Sequence, residues 1–292
     1  CLDRLSVCRL AEWLINSGKA DKNLLTPFAV RDYDGSPVFF SDMTFMQIEQ
    51  SQVTLITPTG PMQVHQYQPL AAASAVKTYP AILFYSEIFQ QTAPIARSAA
   101  MLASHGFVVL VPEIFHELNP LGTVLAYDDA GKDKGNQDKW AKPLESYDSD
   151  NQVMLDYLKT LPYVRPEVGA MGVCIGGHLA FRAALNPAIK ATYCLYATDL
   201  HSDTLPCGEG QQTLSRAADI QGELVMVWGK QDPHVSPEGR QKVYQQLTEA
   251  KVSFSWYEYN AQHAFMRDEG ERYDAALALQ NYQQAVALFR QM

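Results

Sequence analysis

Short apolar runs alternate along the chain with segments whose apolar residues recur at helical spacing. Buried strands are predicted at 80–86, 106–112, 168–173, 191–197, 223–228 and 252–259. Helical spacing is found at 93–105, 150–160, 179–185, 237–250 and 273–292. Because strands and helices of this size follow one another, the pattern predicts βαβ units. We therefore expect an α/β fold with a mostly parallel central sheet flanked by helices.

Two stretches depart from this alternation. Residues 53–67 fit a β-hairpin that turns at Thr59 and Gly60. Residues 113–148 are so polar that we predict a long surface segment that contributes nothing to the core.

The N-terminal region differs from the rest of the chain. Its apolar residues allow one amphipathic helix, which the sequence Asn16-Ser17-Gly18 would end, and residues 30–37 have the composition of a loop and turn. We predict an N-terminal extension over residues 1–50 that packs on a main domain spanning residues 51–292.

Composition and charge narrow the class of protein. Of the 292 residues, 47% are hydrophobic and 19% are charged, which is ordinary for a globular domain. The formal net charge of −9 argues against nucleic acid or an anionic membrane as the main partner. The five cysteines are scattered and form no C-x-x-C pair, so we expect neither a disulfide framework nor a zinc site. A reducing, cytoplasmic location is the expectation that suits free thiols.

The sequence G-V-C-I-G-G at residues 172–177 carries the clearest chemical signal. It directly follows a predicted strand and directly precedes a predicted helix. That is the context of the nucleophile elbow of α/β-hydrolases, usually written G-x-S-x-G, in which flanking glycines permit a sharp turn. Cys174 takes the place of the usual serine. The N–H group that follows it would lie at a helix N-terminus, where an oxyanion can bind.

A nucleophilic thiol needs a base, and the base needs an acid that orients it. In α/β-hydrolases the chain order is nucleophile, acid, histidine. Asp232 follows the predicted strand at 223–228, and His263 follows the predicted strand at 252–259. Because the carboxyl ends of parallel strands meet at one edge of a sheet, we predict that Cys174, Asp232 and His263 form a catalytic triad.

These motifs together resemble the dienelactone hydrolase family. The resemblance covers residues 53–292 and includes the cysteine elbow, the G-x-x-D motif at 229–232 and the H-A-F-x-R motif at 263–267. It also includes the sequences Y-S-E-I-F at 85–89 and V-P-E-I-F at 111–115. The first 50 or so residues lie outside it.

The resemblance implies further roles. Glu87 is expected beside the nucleophile, where it takes part in activating the thiol. The N–H groups of Ile88 and Ile175 are expected to form the oxyanion hole, and Arg267 is expected to bind a substrate carboxylate. An arginine suits that task because its guanidinium can hold a carboxylate through two hydrogen bonds.

The chain departs from the family pattern in the polar segment at 113–148. Relatives carry a second carboxylate-binding arginine there, whereas this segment contains no arginine. Its cationic side chains are four lysines: Lys132, Lys134, Lys139 and Lys142. Residues 198–222 also form a longer link than is usual, which could reshape the pocket. The reaction type is therefore better defined by the sequence than the substrate.

A cysteine nucleophile narrows the reaction. A thiolate is a good nucleophile but also a good leaving group, so it favours activated lactones and esters over peptides. We expect a hydrolase that opens such a small-molecule substrate through a cysteine acyl-enzyme, without a cofactor or a metal. Two alternatives remain open: a carboxylesterase or thioesterase on the same fold, and a non-enzymatic binding module that uses the hydrolase fold.

Overall fold

A mixed eight-stranded sheet is the framework of the protein in its computed structural model, which describes residues 30–31, 37–38, 47–70, 77–206 and 213–292. The strands are β3 (Ile48–Thr57), β4 (Gly60–Pro69), β5 (Tyr79–Tyr85), β6 (Val108–Pro112), β7 (Val164–Val173), β8 (Ile189–Leu195), β9 (Glu223–Gly229) and β10 (Phe254–Tyr259). Their order across the sheet is β10-β9-β8-β7-β5-β6-β4-β3. Strands β5 to β10 pair in parallel, whereas β4 pairs antiparallel with both β3 and β6.

Helices cover both faces of the sheet. They are α1 (Ala93–Ser104), α2 (Asp129–Ala141), α3 (Leu144–Lys159), α4 (Ile175–Ala183), α5 (Pro237–Glu249) and α6 (Ala275–Phe289), with a short 3₁₀ helix at Leu214–Asp219. Strands β5 and β6 are buried along their whole length because they lie inside the sheet with a layer on each face. This arrangement confirms the predicted α/β fold with a mostly parallel central sheet flanked by helices.

The hairpin at the start of the main unit is also as predicted. Strands β3 and β4 pair antiparallel from Ile48 opposite Pro69 to Thr57 opposite Gly60. Gly60 has φ +129°, a left-handed backbone that favours glycine. The turn therefore fixes the register of the two strands.

The prediction for residues 113–148 was wrong. The segment contains helix α2 and the beginning of helix α3. Lys142, between the two helices, is completely buried, and its ammonium donates to Glu117 at 2.7 Å and to Asp150 at 2.6 Å. Polar residues of this segment are buried in ion pairs, so their hydrophilicity gave a misleading signal of exposure.

The chain divides into a unit at Cys1–Phe45 and a unit at Met46–Met292. In the first unit, strands β1 (Val30–Arg31) and β2 (Pro37–Val38) pair antiparallel. The amphipathic helix predicted before Asn16 lies outside the described residues, and the packing of the extension on the main domain stays a prediction. No helix that the structure describes is both long and apolar enough to cross a bilayer.

Candidate active site

Cys174 lies at the apex of a sharp turn between β7 and α4. Its backbone has φ 60° and ψ −125°, a left-handed conformation that is strained for a side chain other than glycine. A Cβ atom on Gly172 would lie 1.8 Å from the carbonyl oxygen of Gly176, so the turn can close only with glycine at that position. The sequence motif therefore encodes the turn that presents the thiol, which is partly exposed.

The N-terminus of helix α4 packs directly against the carboxyl end of β5. A Cβ atom on Gly176 would lie 2.1 Å from the carbonyl oxygen of Tyr85. This close approach brings the start of α4, where the Ile175 N–H lacks an intrahelical partner, next to the Glu87–Ile88 turn that follows β5. The two residues expected to form an oxyanion hole therefore lie on adjoining segments beside Cys174.

His263 and Asp232 are held together at the carboxyl ends of β10 and β9. The Nδ1–H of His263 donates to Asp232 Oδ2 at 2.7 Å, and both side chains are buried. Asp232 Oδ1 also accepts from the backbone N–H of His234 at 2.8 Å, which fixes the carboxylate. Cys174 and His263 line the same cavity, and the charge of the Cys174 sulfur acts on the His263 ring. The structure thus brings the bonded pair of His263 and Asp232 to the cavity that Cys174 lines.

The charges around His263 favour its protonated form. Burial lowers the pKa of His263, but the Cys174 sulfur and the Asp232 carboxylate outweigh burial and raise the pKa from 6.5 to about 9. Burial likewise raises the pKa of Asp232, yet its hydrogen bond and charge interaction with His263 hold that pKa below the usual range. The pair therefore carries an imidazolium and a carboxylate near neutral pH.

Glu87 is buried at the floor of the same site. The hydroxyl of Tyr127 donates to its Oε1, and Arg267 Nη1 lies 3.8 Å from its Oε2. Burial raises the pKa of Glu87, although Tyr127 and Arg267 partly offset that effect. The carboxyl group can therefore accept or release a proton closer to neutral pH than an exposed glutamate can.

These residues line a cavity of about 690 Å³. Its walls come from the β5–α1 turn, the elbow, helix α2 and the link between β10 and α6. The lining residues are Glu87, Ile88, Phe89, Tyr127, Asp128, Asp129, Lys132, Asn136, Lys139, Trp140, Cys174, Thr198, Asp199, His234, His263, Ala264, Arg267 and Arg272. The volume suits a small molecule.

Among the four lysines of the 113–148 segment, only Lys132 and Lys139 line the cavity. Lys132 is paired with Asp129 at 2.7 Å, and Lys139 is paired with Asp199 at 2.9 Å. Their charges are therefore compensated by carboxylates on the same wall.

Arg272 is a cavity residue that the sequence reasoning missed. It lines the cavity from the same β10–α6 link as Arg267, and its charge acts on both Glu87 and His234. The 113–148 segment supplies no arginine to the cavity, whereas the β10–α6 link supplies two. Its position shortly after Arg267 in one link is the signal that could have identified it.

The remaining histidines near the elbow have different surroundings. His178 is fully buried and donates from Nδ1 to the Thr198 carbonyl at 3.1 Å, and burial lowers its pKa to about 4. His234 lines the cavity with its ring 4.6 Å from that of His263. Burial and the charge of His263 lower the pKa of His234, which favours its neutral form.

Within the described residues, two groups of side chains have the ligand types for a metal ion: Asp232 with His234 and His263, and His116 with Glu117 and Asp150. In the first group the Asp232 and His263 atoms bond to each other. In the second group the Lys142 ammonium already bonds to both carboxylates. Each group is thus satisfied by partners of the protein itself.

Comparison with known proteins identifies the family of the chain. The family model described as "Dienelactone hydrolase family" matches residues 68–292. The chain is 39% identical over 242 residues to the Saccharomyces cerevisiae protein named "Putative carboxymethylenebutenolidase", covering 80% of this chain and 86% of that protein. It is 24% identical over 216 residues to the carboxymethylenebutenolidase of Pseudomonas putida, covering 73% and 86% of the two chains.

A solved structure extends the likeness to the fold. The dienelactone hydrolase-like promiscuous phosphotriesterase from metagenomic libraries superposes with a TM-score of 0.66 at 19% identity, covering 84% of this chain and 98% of that chain. The family match extends over most of the main unit and includes the elbow and the segments that carry Asp232 and His263. The chain therefore belongs to the dienelactone hydrolase family and is a hydrolase that acts on esters or lactones.

Proposed function

We propose that the protein opens an activated lactone or ester through an acyl-enzyme on Cys174. The observation that carries this proposal is that Cys174 and His263 line one cavity, while His263 is joined to Asp232 by a buried 2.7 Å hydrogen bond. A thiol at a strained turn, facing a cavity of small-molecule size, has the geometry of a nucleophile.

In the resting state His263 stands as an imidazolium beside Cys174. A histidine whose pKa is about 9 is protonated at neutral pH, and an adjacent imidazolium stabilises a thiolate. Glu87 takes part in thiol activation, because a buried carboxyl group with a raised pKa can accept the thiol proton.

In the acylation step the Cys174 sulfur attacks the carbonyl carbon. The carbonyl electron pair moves to oxygen, where the N–H groups of Ile88 and Ile175 stabilise the oxyanion. When the tetrahedral intermediate collapses, the bond to the leaving oxygen breaks and His263 gives its proton to that oxygen. In a lactone the leaving oxygen belongs to the same molecule as the acyl carbon, so the whole opened ring stays on Cys174 as a thioester. An ester instead releases its alcohol.

Deacylation needs the opposite protonation state of His263. Acylation removes the negative charge from the Cys174 sulfur, which is the largest of the influences that raise the pKa of His263. The pKa of His263 therefore falls in the acyl-enzyme, and the neutral imidazole can take a proton from water. The resulting hydroxide attacks the thioester, and the carboxylic acid product leaves as the thiolate is restored.

The charges of the cavity favour a substrate that carries an anionic group. Arg267 and Arg272 reach the cavity from the β10–α6 link. Lys132, Lys139 and Arg267 each lie near a carboxylate, whereas Arg272 forms no ion pair with the residues that the structure describes. We assign Arg267 to the binding of a substrate carboxylate. Arg272 would be the second arginine that binds this carboxylate, a role that an arginine of the 113–148 segment has in relatives. Two guanidinium groups on one side would orient the ring of an anionic lactone.

A substrate panel tests the proposal. Hydrolysis of a dienelactone, p-nitrophenyl acetate and an acyl-thioester is measured for the native protein and for Cys174→Ala, with Cys194→Ala as the matched control. Cys194 is fully buried and burial raises its pKa, so its thiol is unreactive. The control variant therefore loses a thiol but keeps Cys174. We expect Cys174→Ala alone to lose activity. Turnover in that variant would overturn the acyl-enzyme, and a marked preference for the thioester would favour the thioesterase alternative.

A further inference from the structure

The Glu87–Gln90 turn is held from outside by one continuous stretch of chain, residues 123–135. The Gln90 side-chain amide donates to the Thr123 carbonyl at 2.9 Å, and the Leu125 N–H donates to the Phe89 carbonyl at 3.1 Å. Gln90 has φ 65°, so the turn adopts a backbone that needs support from its surroundings. Residues 123–135 supply that support along the whole turn.

Tyr127 is the residue of this stretch that bonds to the Glu87 side chain. Its hydroxyl donates to Glu87, so the 2.7 Å contact between this hydroxyl and Thr92 Oγ1 must be a hydrogen bond donated by Thr92. The Arg267 guanidinium carbon lies 4.2 Å above the centre of the Tyr127 ring. One tyrosine therefore holds Glu87 by its hydroxyl and Arg267 by its ring.

Gly135 brings helix α2 into contact with the next residue of the turn. A Cβ atom at this position would lie 2.7 Å from the Ile88 carbonyl oxygen and 2.8 Å from Ile88 Cβ. Real Cβ atoms avoid such distances, and the Ile88 carbonyl is backbone that cannot swing aside. Any residue other than glycine would push the Ile88 peptide away from helix α2.

We propose that residues 123–135 are a positioning element for the catalytic turn, in which Tyr127 sets the ionisation of Glu87 and Gly135 sets the place of the Ile88 N–H. The inference rests on the proposed function, because it takes Glu87 as part of thiol activation and Ile88 as part of the oxyanion hole. Tyr127 and Gly135 act through those two residues.

The tyrosine is tested by the pH dependence of Tyr127→Phe. Loss of a hydrogen bond to a carboxylate destabilises its charged form, so Glu87 is expected to ionise at a pH about one unit higher. Both the rate of Cys174 alkylation by iodoacetamide and kcat/KM fall on the acidic side of their pH profiles. The pH of this acidic limb should rise by that amount in both profiles. Tyr157→Phe is the control, because the Tyr157 hydroxyl donates to Gln66 at 2.8 Å in the helix α3–β4 contact. An acidic limb that stays in place in Tyr127→Phe would overturn the role of Tyr127.

The role of Gly135 is tested by measuring kcat and KM separately for Gly135→Ala. Displacement of one oxyanion donor is expected to lower kcat about 10- to 100-fold, with KM and the alkylation rate of Cys174 within about twofold of the native values. Gly239→Ala is the control: a Cβ at this helical glycine would lie 2.7 Å from the His201 ring. Native kcat, or a parallel loss of kcat and alkylation, would overturn the role of Gly135.

Alkylation of Cys174 requires no ester, which separates this inference from the proposed function. If the native protein hydrolyses none of the panel substrates, the proposed function fails. The pH shift of alkylation in Tyr127→Phe would still decide whether residues 123–135 control Glu87.

Discussion

Asp232→Asn is the substitution that most directly tests the charge state of the candidate site. Burial lowers the pKa of His263. The Cys174 sulfur and the Asp232 carboxylate outweigh burial and raise this pKa to about 9. The rise from 6.5 corresponds to about 3 kcal/mol in favour of the imidazolium. Asparagine keeps the shape of the side chain but removes its charge from a buried 2.7 Å hydrogen bond.

A hydrogen bond to a charged group contributes about 1.5–3 kcal/mol, so Asp232→Asn should lower kcat/KM by about 10- to 150-fold. The sign of the pH effect follows from the same charge. His263 must be protonated to release the leaving group, so activity is present below its pKa and is lost as pH rises through about 9. Without the Asp232 charge this alkaline limb should move to lower pH.

The assay is kcat/KM as a function of pH for an alkyl ester, whose alkoxide needs a proton in order to leave. It is measured for the native protein, Asp232→Asn and Asp199→Asn. Asp199 lines the same cavity but bonds to Lys139 at 2.9 Å, so its loss should leave the alkaline limb in place. If Asp232→Asn retains native kcat/KM and the native alkaline limb, Asp232 does not orient or charge His263.

Three further substitutions test other parts of the structure. Arg272→Gln should raise KM about tenfold for an ester that bears a carboxylate and leave KM for p-nitrophenyl acetate unchanged; equal effects on both would refute anion binding. Lys142→Met leaves two buried carboxylates without their cation and should lower the free energy of unfolding by about 3–5 kcal/mol in urea titration, whereas the exposed Lys159→Met should change it little. Gly172→Ala should abolish Cys174 alkylation, since its Cβ would overlap the Gly176 carbonyl; native alkylation would contradict the account of the turn.

The parts of the fold that the sequence predicted well depend on local patterns. The buried parallel strands are short apolar runs, and the elbow is a strand–turn–helix with glycines at fixed positions. The meeting of Asp232 and His263 followed from their places after two neighbouring parallel strands. Periodicity and chain order were sufficient for these features.

Helix α2 could not be predicted in this way. Its buried residues are Gly131, Gly135, Asp138 and Lys139, so it has no apolar stripe that periodicity could detect. Lys139 and Asp138 are held by partners elsewhere in the chain, Asp199 and Asn119. A helix attached through ion pairs and glycine contacts looks like a surface loop in sequence.

The same reason explains the cavity residues that were missed. Tyr127 acquires its place only because residues 123–135 fold back over the turn after β5. Arg272 lines the cavity from the β10–α6 link, next to residues from distant parts of the chain. Such contacts between distant segments leave no periodic or motif signal in a single sequence.

The central claim, that Cys174 carries the acyl group, is tested most directly by mass spectrometry of the protein quenched in acid during turnover of p-nitrophenyl acetate. Deacylation depends on neutral His263, so the measurement is made near pH 6, where the intermediate should accumulate. The account predicts one acetyl group on the peptide that contains Cys174 and none on Cys194. Turnover with an unmodified Cys174, or native turnover in Cys174→Ala, would contradict it.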